Sequence, residues 1–107
     1  MVCSREDFHV IVRINSDAED DLRNAFSYYQ TINELLGSRL IDDYHSAIRK
    51  VAEHPNRWPT IGEFPRVHYY RLDHFPYKVV YQLNSDDCMI LAFMHISREP
   101  GYWQTRY

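Results

Sequence analysis

The sequence predicts an α+β fold in the order β-α-α-β-β-β, with a helix hairpin packed on one face of an antiparallel sheet. Three observations predict it. Two successive apolar stripes, stepping by three and four, run from Ala18 to Val51. From residue 66 onward the pattern changes to β-branched and aromatic runs separated by turn residues. A short run of the same kind precedes the helices. At 107 residues the chain fits one domain, spanning 1–107. It contains no repeat, low-complexity tract or linker.

Residues 8–14 are rich in Val and Ile and read as the first strand, ended by Asn15-Ser16. Ser16 with Glu19 three residues later has the form of a capping box, which starts a helix. The acidic run from Asp17 to Asp21 suits the positive end of the helix dipole and reads as a solvated helix start. Ala18, Leu22, Ala25, Tyr29, Ile32 and Leu36 form the apolar stripe of this helix, and Gly37 ends or hinges it. The second stripe is Leu40, Ile41, Tyr44, Ala47, Ile48 and Val51, stopped by His54-Pro55. Residues 54–65 hold three prolines and one glycine and read as a loop, with Trp58 tucked under apolar neighbours.

Residues 66–73 and 77–83 read as strands joined by a tight turn at Phe75-Pro76. Asn84 to Asp87 is a polar turn, and residues 88–96 are a third, very apolar strand. Consecutive strands with short connections read as an antiparallel meander. The helix hairpin covers one face, and the face carrying Tyr and charged residues is left available.

Composition limits the function classes. Cys3 and Cys88 make neither a disulfide framework nor a metal pair and read as reduced thiols. The histidines lack zinc spacing, so no metal site and no cofactor are expected. Residues 1–7 carry no apolar run, and no stretch approaches the roughly 20 apolar residues that cross a bilayer. The expected location is the cytoplasm, without a membrane partner. Net charge is −3: residues 1–56 carry six Lys/Arg against ten Asp/Glu, and residues 57–107 carry six against five. A nucleic-acid-binding domain usually shows a strong basic excess, so direct sequence-specific DNA binding is not expected.

Four segments carry a family resemblance: Ala18 with Asp21-Leu22; Ile48 with Pro55 and Trp58-Pro59; Phe75-Pro76-Tyr77-Lys78-Val79-Val80-Tyr81; and Leu91-Ala92-Phe93 followed by His95, Arg98, Pro100, Tyr102 and Trp103. In this order they resemble the RelE/ParE superfamily of toxins from type II toxin–antitoxin systems, which includes plasmid stabilisation proteins, over roughly residues 8–107. The resemblance implies a toxin that inhibits growth and is neutralised by a cognate antitoxin. ParE-like members inhibit DNA gyrase and do no chemistry of their own. RelE-like members are metal-independent endoribonucleases that cut mRNA on the ribosome.

The resemblance also implies candidate site residues. RNA cleavage by a 2′-hydroxyl needs a base, an acid and cations on the phosphate. Arg71 and Lys78 match the strand cations, Arg98 the later arginine and Tyr102 the tyrosine, while His95 adds an imidazole, a side chain of the general acid–base type. With the turn at 74–75, Arg71 and Lys78 lie nearly opposite each other and share a face. For target or antitoxin contact the candidates are Arg71, Arg98, Tyr102 and Trp103. Each has a structural reading too: His95 hydrogen-bonded, Arg98 ion-paired, Tyr102 and Trp103 pinning the tail to the core, Arg71 and Lys78 solvated cross-strand neighbours.

Three functions follow: a ParE-like binding toxin, a RelE-like endoribonuclease, and an inactive relative that only binds an antitoxin. Two lysines and a negative total suit a phosphate-dense target poorly, which favours the first.

Overall fold

The computed structural model describes residues 11–85, 87–97 and 102–106. The elements are β1 (Ile11–Ile14), α1 (Ser16–Ile32), α2 (Glu34–Glu53), β2 (Thr60–Ile61), β3 (Phe64–Arg71), β4 (Tyr77–Leu83), β5 (Asp87–His95) and a closing 3₁₀ helix (Tyr102–Arg106). The sheet order is β1-β5-β4-β3-β2. Two helices pack on this sheet, so the α+β architecture holds, with differences from the sequence expectation in three places: the sheet, the helix boundaries and the far face.

The sheet is mixed, because β1 runs parallel to β5, pairing Ile11 with Asp87 through Ile14 with Ile90. The whole helix hairpin separates β1 from the meander, and that length of chain permits a parallel crossover. The loop after α2 also contributes a strand: β2 pairs antiparallel with β3 through a turn at Gly62, whose φ of 45° suits a residue without a Cβ. Of the first expected strand, residues 8–10 lie outside the described residues.

The helix boundaries move by a few residues. Asn15, not Ser16, caps α1, and its side chain accepts the Asp17 N–H at 2.7 Å. The break between the helices is at Asn33 rather than Gly37. Asn33 has extended backbone; its N–H closes α1 on the Tyr29 carbonyl at 2.9 Å, and its side chain opens α2 by accepting the Leu35 N–H at 2.8 Å. Gly37 sits inside α2 and is buried, where an added Cβ would stand 3.0 Å from a Phe26 ring carbon. Its smallness lets the helices approach. With the break moved to Asn33, Ile32 stays exposed instead of extending the buried stripe.

The main core joins Leu40, Tyr44, Ala47 and Val51 of α2 and Ala18 and Ala25 of α1 to Val79, Tyr81, Ile90 and Phe93 of the sheet. Trp58 packs edge-to-face on Tyr70 at 4.6 Å, and its indole N–H donates to the Lys50 carbonyl at 3.3 Å. The third difference is on the far face. A second apolar cluster lies there, Val67, Val80, Leu91, Ala92 and Met94, under Trp103 of the 3₁₀ helix. That face is therefore available only in part. A register shift at Val80/Tyr81 puts the adjacent Leu91 and Ala92 into the same cluster.

Candidate functional site

Strand alternation places the cations. On β3, Val67, Tyr69 and Arg71 alternate with His68 and Tyr70, which face the helices. Arg71 pairs in register with Lys78, so both lie on the far face beside Tyr69. The Lys78 ammonium stands over the Tyr69 ring at 4.9 Å. Lys78 in turn pairs with Met94, which belongs to the cluster under Trp103. The surface is a pair of cations beside an aromatic ring on an apolar bed.

The β3–β4 turn that aligns these cations is tied to α2 at two points. The Lys50 ammonium donates to Asp73 at 2.7 Å and to the Tyr70 hydroxyl at 3.1 Å, and Tyr70 donates to the second Asp73 oxygen at 2.9 Å. The hydrogen bond to Asp73 holds Lys50 up at about 12, and the reciprocal bond from Lys50 holds the Asp73 carboxyl below its ordinary value. Asp43, with a side chain only 4% exposed, accepts the His74 backbone N–H at 2.9 Å and faces the His74 ring nitrogen at 3.2 Å.

His95 does not join Arg71 and Lys78. It pairs with Tyr77, next to Lys78 in sequence and therefore on the opposite face. There it packs edge-on to the Tyr77 ring at 5.2 Å, and its Nδ1 accepts the Ser97 N–H at 3.1 Å. The expected convergence of His95 with the strand cations is corrected by this alternation. Arg98 lies outside the described residues, as does the side chain of Tyr102, whose backbone opens the 3₁₀ helix. Trp103, a candidate contact residue, is 2% exposed and packs on Phe64 at 5.3 Å. Its surface is consumed by the second cluster rather than offered to a partner.

The sequence reading placed Asp21 in a solvated acidic run and passed over Arg106, so it missed the pairing of the two. Arg106 donates to Asp21 at 2.7 Å and to the Leu91 carbonyl at 3.0 Å, while Asp21 accepts the Phe93 N–H at 3.2 Å. Asp21 is thus no solvated member of an acidic run. Its position, three residues after Ala18 and four before Ala25, was the signal: it falls on the apolar face of α1. Cys88 is buried, and burial pushes its thiol up to about 11, so it is no nucleophile at neutral pH. Among the described residues no three His, Cys, Asp or Glu side chains gather as a metal site, and no helix is long and apolar enough to cross a membrane.

A family model described as the ParE toxin of the type II toxin–antitoxin system, parDE, matches residues 12–100. A solved chain from the chromosomal ParDE TA system of P. aeruginosa superposes with a TM-score of 0.72 at 16% identity, covering 82% of this chain and 97% of that one. At that identity the likeness concerns the fold. No curated protein matches the chain.

Proposed function

The chain belongs to the ParE toxin family of type II toxin–antitoxin systems, and from that premise we propose that it is a cytoplasmic toxin that inhibits bacterial growth by binding. Its target is DNA gyrase, and a cognate antitoxin neutralises it. The observation that carries the binding reading is the division of the candidate residues between two faces. Arg71 and Lys78 share one face with Tyr69, whereas His95 turns to the other and is engaged by Ser97. General acid–base cleavage requires base, acid and phosphate cations within hydrogen-bond reach of one scissile site. Two cations beside a ring, without that base, suit electrostatic and stacking contact with a partner better than bond cleavage.

A gyrase supercoiling assay with purified protein tests the reading. Inhibition that a co-purified antitoxin relieves is the expected result. Unimpaired supercoiling, together with codon-register mRNA cuts in a translating extract, overturns it in favour of the RelE-like endoribonuclease. Silence in both assays, with no growth arrest on expression alone, leaves the inactive antitoxin-binding relative.

A further inference from the structure

Among the described residues, only one of the two edges of β5 is paired along its length. β4 pairs with it from Leu83–Cys88 to Tyr77–His95. β1 covers the outer edge only from Asp87 to Ile90, and the last bond there runs from the Asn15 N–H to the Ile90 carbonyl at 3.0 Å. Beyond Ile90 the outer edge faces α1 across a cleft of about 190 Å³ lined by Asp21, Asn24, Tyr28, Tyr77, Phe93 and His95.

The direction of the backbone groups follows from register. The Tyr77 carbonyl is taken by Leu72 on the β3 side at 2.9 Å. Tyr77 therefore turns its backbone groups away from β5, and its partner His95 turns its own outward. Phe93, two residues earlier, points the same way. Its N–H is met by the Asp21 carboxylate at 3.2 Å, and the Leu91 carbonyl by Arg106 at 3.0 Å. One carboxylate and one guanidinium thus stand where a neighbouring strand's carbonyl and N–H would stand. The Phe93 carbonyl and the His95 N–H, one step further, meet no such group among the described residues. Tyr28, 60% exposed, overhangs this open half.

We propose that the outer edge of β5 from Leu91 to His95 is a docking edge for an extended, arginine-bearing segment of a partner protein, and that Arg106 fills its cationic subsite in cis. Charge selects the occupant. Arg106 is 14% exposed and Asp21 17%, and a second carboxylate, Asp17, lies 3.7 Å from the Arg106 Nε. This is a largely desolvated guanidinium seat, and the guanidinium fork matches its converging oxygens as an ammonium would not. An incoming strand pairs with Phe93 and His95, lays an aromatic or aliphatic side chain against Tyr28 and Tyr77, and places its arginine on Asp21 as Arg106 leaves. The Trp103 anchor keeps the 3₁₀ helix on the sheet during the exchange, because it belongs to the separate cluster on the far face. The proposal does not depend on which target the protein inhibits.

Nuclear magnetic resonance on the ¹⁵N-labelled full chain tests it, with an acetylated, amidated Thr-Val-Arg-Val-Thr-Val peptide as probe and the same peptide carrying Glu for Arg as control. The Arg peptide is expected to shift the Phe93, His95 and Asp21 amides, and the Glu peptide to leave them in place. Arg106→Gln should tighten binding of the Arg peptide roughly tenfold if Arg106 holds its seat about nine-tenths of the time. Asp21→Asn should weaken it. Hydrogen exchange of the unmutated protein gives an independent reading: the Phe93 amide is slow, the His95 amide is fast, and saturating Arg peptide slows His95. Equal response to both peptides, a response confined to other strands, or a His95 amide already slow without peptide overturns the proposal. So does a concentration-dependent dimer that protects His95 without peptide, which assigns the edge to a second copy of the chain.

Discussion

The helix-covered face of the sheet and the face opposite it are built from the same strands to opposite ends. On the helix side, Val79, Tyr81 and Ile90 are sealed beneath Leu40 and Val51, and the polar groups inside are paired: the Tyr81 hydroxyl donates to the Pro55 carbonyl at 2.6 Å, and the buried His68 stacks on Tyr81 with its Nδ1 2.7 Å from the Trp58 carbonyl. On the far side the apolar cluster is small, is capped by one tryptophan, and gives way at one end to Arg71 and Lys78. A strand's two faces are therefore separately composed. One face is selected for close packing, the other retains charge at the edge of a patch just large enough to anchor a tail.

Deleting the centre of each face measures the contrast. Leu40→Ala removes a fully buried side chain from the main core and is expected to cost about 4 kcal/mol in urea unfolding. Trp103→Ala should cost about 3 kcal/mol, the lower end for that deletion, because the 3₁₀ helix it anchors can peel away instead of leaving a rigid cavity. A Trp103→Ala loss larger than that of Leu40→Ala would reverse the ranking and make the far face the principal core.

These two residues also mark how much was legible. The apolar period of α2 identified Leu40, Tyr44, Ala47 and Val51, because a helical stripe repeats and so carries its own confirmation. The strands at 77–83 and 88–96 were legible for the same reason, within a residue at their ends. Arg71 opposite Lys78 followed from the turn position alone. What could not be read was whatever depends on pairing across long separations. The parallel β1–β5 contact and the Asp21–Arg106 bridge, 85 positions apart, leave no local period. Nor could the face of His95 be fixed until its register with Tyr77 was known, since one step of register moves a side chain through the sheet.

The clasp from α2 to the β3–β4 turn should matter less than either core. Lys50 and Asp73 are about two-fifths exposed, at 39% and 41%, so solvent screens them and the cluster is worth about 1 kcal/mol or less. Its pH dependence has a definite sign. The Asp73 carboxyl is lowered in the folded chain, so its contribution is present above the ordinary carboxylate value of 3.8 and disappears as pH falls through the folded value. Lys50 is raised, so its contribution is complete below 10.5 and is lost as pH rises through about 12. Lys50→Met should therefore lower the melting temperature by a few degrees between these limits and by less in strong acid. A deficit that stays constant down to pH 2 would assign the loss to packing of the lysine stem on Tyr70 instead of to charge.

The smallest stability effect is expected where the functional effect should be greatest. Arg71 is exposed and Lys78 half-buried, and the Lys78 contact with the Tyr69 ring is worth about 0.5–1 kcal/mol at such a site. Arg71→Ala and Lys78→Ala should each change unfolding free energy by less than about 1 kcal/mol, since neither leaves a cavity or a buried unpaired group. If the far face meets the target, the double substitution should relieve growth arrest while the melting temperature stays within a few degrees of the parent. Charge reversal, Arg71→Glu with Lys78→Glu, should relieve it further, because repulsion is added to the lost attraction. A double Ala variant that folds normally and arrests growth as the parent does would remove this face from target contact. The residues that bind the target would then have to lie on the helix side or in the tail, and the contrast between a packed face and a working face would fail.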